Sequence, residues 1–322
     1  MGKYILHRLL LLIPVILGVS LLVFVFMDLA PGTMLDNLPN DLSEAEIARL
    51  YHEYGYDRSV FYRYGRYMLG FVRGDLGYSY IYQTGVLGLY LQRLPATLAL
   101  AGAAVLLAIA LSVPLAVLAA RRHGSATDQG ISALAVLGMS MPNFWLGILL
   151  MLLFAHTLHL LPSGGMQEPA SLILPSVTLA TGLMASLTRT ERTALLEEQQ
   201  KDYVLLARAK GLTGPQVTVR HVLRNTLVPL LTVVAMQLGA VVGGAVVTEN
   251  VFSWPGVGRL LVDAIHERDA VTATGCLIMT AVMISLIQLA ADILCALINP
   301  QLRGRIDRDR AIGLRREGGG AA

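Results

Sequence analysis

His156 and His159 stand three residues apart, a spacing that puts two imidazoles on one face of a helix, where they can share a metal ion. Two histidines without further ligands do not make a site, so the pair reads as interfacial and no metal ligand set is assigned. Cys276 and Cys295 lie 19 positions apart in one apolar stretch, a spacing that matches neither a redox pair nor a zinc site. Within one straight helix they cannot be bridged, and they read as small buried side chains. Ser112, Ser140 and Ser186 are accompanied by no legible base or paired acid, so an intramembrane protease is disfavoured and no catalytic residue is assigned. No phosphate-cradling G-x-x-x-x-G-K-[ST] occurs, the one Gly-Lys pair being Gly2-Lys3, so ATP hydrolysis is not chemistry of this chain. Asp292 is a single acid inside an apolar run; one acid is not a proton relay, which counts against an ion-coupled carrier.

The elements that carry these residues are membrane helices. Of 322 residues, 55% are hydrophobic and 15% charged, and the mean hydropathy is +0.60. A water-facing surface needs roughly 25–35% charged residues, so most of this chain must face lipid or other buried helices. A net charge of +3 gives no support to nucleic-acid binding. A span needs about 20 mostly apolar residues. Six stretches qualify: Leu9–Met27, Ala96–Ala120, Leu134–Leu158, Pro169–Thr188, Asn225–Thr248 and Ala270–Ala291, the last continuing to Ile298. Segments 1–8, 121–130, 188–226 and 299–322 hold 17 of the 25 basic residues, so the positive-inside rule places both termini in the cytoplasm. The expected fold class is all-α integral membrane, six transmembrane helices, N-in/C-in. Its parts are a tail and first span (1–30), an extracytoplasmic loop (31–94), a core of five spans (95–298) with a cytoplasmic loop (188–226), and a cytoplasmic tail (299–322). The first span is longer than a signal-peptide core and lacks a small-x-small cleavage site, so a retained helix is expected.

In the outer loop, Ser43 and Glu46 form a capping box, with a helix expected to run to Tyr54 and stop at Gly55. Ten of the twelve tyrosines fall between Tyr51 and Tyr90, which suits the headgroup layer. In the cytoplasmic loop, Asp202 is placed to cap a helix over Tyr203–Lys210, Gly211 to end it, and Thr213 and Pro215 to start another. An eight-residue helix is below the ~12–15 residues that isolated helices need, so packing must hold it. Phe252–Arg259 contains a stiff Trp-Pro-Gly-x-Gly turn that either dips over a pore mouth, with Glu249 and Asn250 before it able to meet a peptide amino terminus or a cation complex, or is a rigid connection between helices. Ser140, Asn143, Gln237, Glu249, Asn250 and Trp254 are the candidate substrate-path residues. Gly239 and Gly243 could allow close approach of a second membrane subunit.

Asp202-Tyr203-Val204-Leu205-Leu206-Ala207-Arg208-Ala209-Lys210-Gly211-Leu212, followed by His221-Val222-Leu223-Arg224-Asn225 and Pro229, resembles the cytoplasmic signature of bacterial ABC importer permeases, in the dipeptide, oligopeptide and nickel branch. Leu205 stands where the general signature has an acid. Leu29-Ala30-Pro31-Gly32, Gly74-Asp75-Leu76-Gly77, Arg93-Leu94-Pro95-Ala96-Thr97-Leu98, Ser140-Met141-Pro142-Asn143-Phe144-Trp145 and Phe252–Arg259 agree in order along nearly the whole chain. Thr33 and Ala270-Val271 depart from the branch's usual residues, both on the outer side.

The resemblance implies a type I ABC importer permease fold in the bacterial cytoplasmic (inner) membrane. It also implies a second homologous permease, two ATPase subunits that bind ATP and Mg, an extracytoplasmic binding protein, and no cofactor on this chain. Asp202, Tyr203, Ala207, Arg208, Ala209, Lys210, Gly211 and Leu212 would couple to the ATPase, and a bulky residue at Ala207 or Gly211 is expected to uncouple transport. Peptide is the expected substrate, with nickel or a metal chelate as the alternative.

Overall fold

The computed structural model describes residues 2–29, 43–53, 55, 57–79 and 81–298. Apolar runs become long helices because an unpaired backbone amide or carbonyl is too expensive in hydrocarbon. The order is α1 (Gly2–Leu29), α2 (Glu44–Glu53), α3 (Val60–Val72), a hairpin of β1 (Tyr78–Ser79) and β2 (Thr84–Gly85), α4 (Val86–Arg121), α5 (Ala126–Ser140), α6 (Asn143–Leu150), α7 (Ile173–Glu198), α8 (Asp202–Ala209), α9 (Gly214–Val217), α10 (Leu223–Val251), α11 (Val257–His266) and α12 (Ala270–Ile298). The hairpin is antiparallel, pairing Tyr78 with Gly85 and Ser79 with Thr84.

Among the described residues, four continuous helical stretches are long and apolar enough to cross a membrane: Val86–Arg121, Pro169–Glu198, Gly214–Val251 and Ala270–Cys295. They contain the second, fourth, fifth and sixth expected spans, and α1 contains the first. The third expected span, Leu134–Leu158, is not one straight helix. It breaks between α5 and α6 with a bend of 107°. Pro142 lies at the break in an extended conformation, having no amide to donate and excluding the helical conformation from Met141. Segment 188–226 is helical over most of its length. α7 runs on to Glu198, and α9 continues through wider turns at Thr218–Val222 into α10.

The chain forms two compact units, one drawn from Met1–Leu107, Ser140–Gly182 and Gly239–Leu286, the other from Ala108–Met139, Leu183–Leu238 and Ile287–Ala322.

In the first unit, the amphipathic α11 buries Val257, Leu260, Leu261 and Ala264 against Leu89 and Tyr90 of α4 and Ala273 and Cys276 of α12. Asp269 caps α12, accepting from the Thr272 amide (3.0 Å) and hydroxyl (2.6 Å). The same carboxylate accepts from the Ser79 hydroxyl at 2.5 Å, pinning the hairpin to the start of α12. The capping box forms as expected: the Ser43 amide donates to Glu46 at 2.9 Å and the Glu46 amide to the Ser43 hydroxyl oxygen at 3.3 Å. Those Ser43 donors, the amide before the hydroxyl, hold the Glu46 carboxyl below its ordinary range. Gly55 has φ +70°, the left-handed stop that the sequence requires; Tyr54 lies outside the described residues. Three of these tyrosines serve packing: Tyr64 and Tyr67 turn toward Phe24 of α1, and Tyr90 is buried with its hydroxyl on the Met283 sulfur at 3.7 Å.

In the second unit, the small residues Ala116 and Ala120 of α4 let Leu195, Val204, Ala207, Val217 and Val222 close over them. Arg192 grips Asp128 through two bonds of 2.6 and 2.7 Å. Asp128 also accepts from the Gly124 amide at 2.9 Å, which ties the turn after α4 to α7. Breaking such a buried pair from one side costs about 3–5 kcal/mol. Arg192→Ala is therefore expected to lower the thermal midpoint of the purified protein markedly, and Asp128→Ala in that background to restore part of it. Strict additivity of the two losses would show that the pair is not coupled.

Candidate functional site

The short helix α8 is held by its own fold. Val204 and Ala207 are buried in the cluster described above, Ala207 being 7% exposed. Tyr203, half-buried, donates to Glu198 of α7 at 2.8 Å and accepts from the Asn225 amide of α10 at 3.0 Å; Asn225 also reaches Glu198 at 3.1 Å. Lys201 bridges Glu198 at 2.5 Å. One carboxylate thus gathers α7, α8 and α10. Burial, and next the bond to Glu198, raise the Tyr203 phenol above its ordinary value, so it stays a donor.

The end of α8 is a complete Schellman stop. The Gly211 amide bonds to the Arg208 carbonyl at 2.9 Å, and the Leu212 amide to the Ala207 carbonyl at 3.3 Å. Gly211 takes φ +85°, and a Cβ there would meet open space. The next helix opens on a capping box in which the Thr213 amide donates to Gln216 at 2.9 Å.

Two expectations change. Asp202 does not cap α8; Lys201 holds that position without a side-chain bond, and Asp202 sits exposed in the first turn, where its charge still suits the helix dipole. Ala207 does not face outward, because the helical period turns it to the core with Val204. What α8 presents is Leu205, 71% exposed, and Leu206, 57% exposed, with Asp202, Arg208, Ala209 and Lys210 around them. Two adjacent leucines at the surface of a charged loop were not picked out from sequence. The available signal was that an eight-residue helix with two buried positions must turn its other apolar residues outward.

Thr226 donates to Glu191 within the same unit, bonding α10 to α7 beneath this surface. Gln237 reaches the Ser186 hydroxyl at 3.4 Å.

In the first unit, the Trp-Pro-Gly-Val-Gly turn wraps a carboxylate. Glu249 is fully buried and accepts from the Thr97 hydroxyl (2.6 Å) and the Arg259 amide (3.1 Å). Thr97 accepts from the Val257 amide at 2.8 Å, and the Trp254 indole donates to the Ala96 carbonyl at 2.9 Å. A Cβ at Gly256 would collide with the Glu249 carboxylate, and one at Gly258 with the backbone of Val246. Glu249 and Trp254 are therefore struts of a rigid turn here, not exposed recognition groups. Asn250 is likewise occupied, bonding the Val246 carbonyl at 2.8 Å. Asn143, half-buried, opens α6, and Ser140, exposed, ends α5. Gly239 is buried in its own chain, whereas Gly243 is exposed beside Ala240 and Val247 on one face of α10. His156 and His159 have ring centroids 6.5 Å apart, and among the described residues they gain no third metal-binding side chain.

Residues 112–304 match the family model described as "Binding-protein-dependent transport system inner membrane component". This chain belongs to that family. It is a multi-pass component of the bacterial inner membrane and an ABC transport permease. It is 35% identical over 314 residues to the oligopeptide transport system permease protein AppB of Bacillus subtilis, covering 94% of this chain and 99% of that one. Identity is also 35%, over 336 residues with the same coverage, to the dipeptide transport system permease protein DppB of Escherichia coli K12. It is 36% over 333 residues to the di/tripeptide permease protein DppB of Pseudomonas aeruginosa, again covering 94% and 99%. Among solved structures, a chain of the MetNI methionine ABC transporter in an inward-facing conformation superposes with a TM-score of 0.57 at 21% identity, covering 66% of this chain and 97% of that one. That likeness is one of fold. The whole of α8 and its stop, residues 202–212, lie inside the matched region.

Proposed function

We propose that this chain is one of two homologous permease subunits of an ATP-driven importer of di- and oligopeptides. The observation that carries the reading is the likeness, over 94% of the chain, to permeases named for dipeptides and oligopeptides. The nickel alternative is not favoured by those relatives. The proposed topology has six spans with both termini cytoplasmic, supported by the 17 basic residues in the inner segments. It places α8 on the cytoplasmic side.

α8 is the mechanical joint. Leu205 and Leu206 enter a cleft on an ATPase subunit. The Glu198–Tyr203–Asn225 cluster passes the displacement of α8 to both flanking spans, since a bistable packed network can carry coupling between sites. ATP and Mg are held by the two ATPase subunits, and an extracytoplasmic binding protein delivers the peptide.

Inverted vesicles are unsuited to an importer, so the test uses proteoliposomes with the ATPases enclosed. With binding protein outside, a labelled tripeptide is expected to accumulate when ATP is inside, and nickel salts are not. Nickel or chelate accumulation without peptide accumulation would overturn the substrate assignment. Peptide entry without ATPase subunits would mean a channel.

Gly211 supplies a sharper check of α8. At φ +85° a β-branched residue is strained by roughly 1–2 kcal/mol and asparagine much less. Gly211→Val is expected to lower uptake several-fold with normal membrane levels, and Gly211→Asn to keep most of it. Equal uptake in both would remove the Schellman stop from the coupling scheme.

A further inference from the structure

The helix α3 has one face settled and one face open. Inward, the Tyr64 hydroxyl donates to the Leu17 carbonyl of α1 at 3.0 Å and lies 2.9 Å from the Ser20 hydroxyl. The rings of Tyr64 and Tyr67 each pack 5.9 Å from Phe24. Ser20 is seven residues before Met27, the outer end of the expected first span. At 1.5 Å per residue α3 therefore lies against α1 at a level about 10 Å inside that boundary. Outward, α3 exposes Phe61 (74%), Leu69 (65%) and Val72 (81%). Arg66 and Arg73, also exposed, follow about 40–60° further round the helix from Leu69. α3 contains no acidic residue.

We propose that α3 is embedded in the outer leaflet beside α1, with Phe61, Leu69 and Val72 in contact with phospholipid acyl chains and Arg66 and Arg73 at the level of the lipid phosphates. Two observations select lipid as the occupant. α3 packs on α1, a helix that exposes apolar side chains on several sides, Ile13, Leu17, Leu22 and Phe26 among them, and the surface of a span is covered by acyl chains. The strip is bordered on one edge by guanidinium groups, and α3 itself carries no carboxylate. That is the pattern of a helix lying at the boundary of acyl chain and phosphate, its arginines reaching outward to the headgroups. The tyrosines that the sequence marks for the headgroup layer are then partly a fastening to α1, and the lipid contact falls to residues between them.

The inference rests on α1 being the first span, so the test carries its own reference. The assembled transporter, with Cys276→Ala and Cys295→Ala, is placed in nanodiscs of phosphatidylethanolamine and phosphatidylglycerol. A spin label is attached in turn to Phe61→Cys, Leu69→Cys, Val72→Cys and, in α1, Leu22→Cys. All four side chains are exposed, so the substitutions leave the packing of α3 on α1 intact. Collision with oxygen is expected to exceed collision with a water-soluble nickel chelate several-fold at all four positions. Ready access of the nickel chelate at 61, 69 and 72, with Leu22→Cys still oxygen-rich, would overturn the proposal and leave the span standing. Shielding of the three sites from both reagents would mean that protein covers the strip, and would equally overturn it. Nickel access at Leu22→Cys would instead remove the first span.

Discussion

Replacing Leu205 and Leu206 together by glutamate is expected to lower ATP-driven peptide uptake by at least about thirtyfold while leaving the amount of chain in the membrane near normal. Both side chains face outward from α8, so the change removes no contact from the core formed by Val204, Ala207, Leu195 and the alanines of α4. Its effect must come through whatever the leucines dock against. A hot-spot residue at the centre of an interface costs about 2 kcal/mol or more when truncated, and 2 kcal/mol corresponds to about thirtyfold in affinity. Two charges placed in an apolar cleft add a desolvation penalty. Ala207→Phe makes the contrast, since it overfills the inward side and is expected to reduce folded protein before it reduces coupling. Uptake per mole of assembled permease, together with co-purification of the ATPase, separates the two outcomes. Normal uptake in the double glutamate variant would show that α8 does not carry the ATPase contact.

The second large effect is expected at the outer turn, and it has a diagnostic pattern. Gly256→Ala would push a methyl into the Glu249 carboxylate, and Gly258→Ala would push one into the Val246 backbone. Overpacking of this kind costs about 1–3 kcal/mol, and loss of a buried charged hydrogen-bond partner about 1.5–3 kcal/mol. Gly256→Ala, Gly258→Ala and Glu249→Ala should each lower the thermal midpoint of the detergent-solubilised protein. In the Glu249→Ala background, however, Gly256→Ala should become nearly silent, because the group it struck has gone. Gly258→Ala should keep most of its effect, because the Val246 backbone does not yield even when the Glu249 oxygen, 2.9 Å from the added methyl, has gone. Such a cycle isolates the coupling term. Additive losses at Gly256 and Glu249 would contradict the wrapped-carboxylate geometry.

How much of this was legible in sequence follows the range of the interactions. The long helices could be read because burial in lipid is a property of contiguous composition, and the stops at Gly55 and Gly211 because a left-handed position selects glycine locally. The α5–α6 break was not read, although Pro142 is in plain view. An uninterrupted apolar run reports where a chain is comfortable, not the direction it takes. The helix that starts after Thr213 was legible, but not its unbroken run into α10, since polar residues at 220–225 do not report whether a helix continues when their partners are unseen. Glu249 looked like a recognition group because a carboxylate near an outer loop is normally solvated. Its inward turn depends on Thr97, 152 residues away. The grip of Arg192 on Asp128 spans 64 residues and leaves no local trace.

One long-range contact also bears on how the protein is made. The hairpin after α3 is fastened by the hydroxyl of Ser79 to the aspartate that opens α12, across 190 residues of chain. Translation proceeds at about 5–20 residues per second, so Ser79 has emerged roughly 10–40 s before its acceptor exists. Through that interval the hairpin lacks this fastening to α12. The hairpin thus gains this fastening only when the start of α12 has been made, and a chain that stalls before Asp269 lacks it.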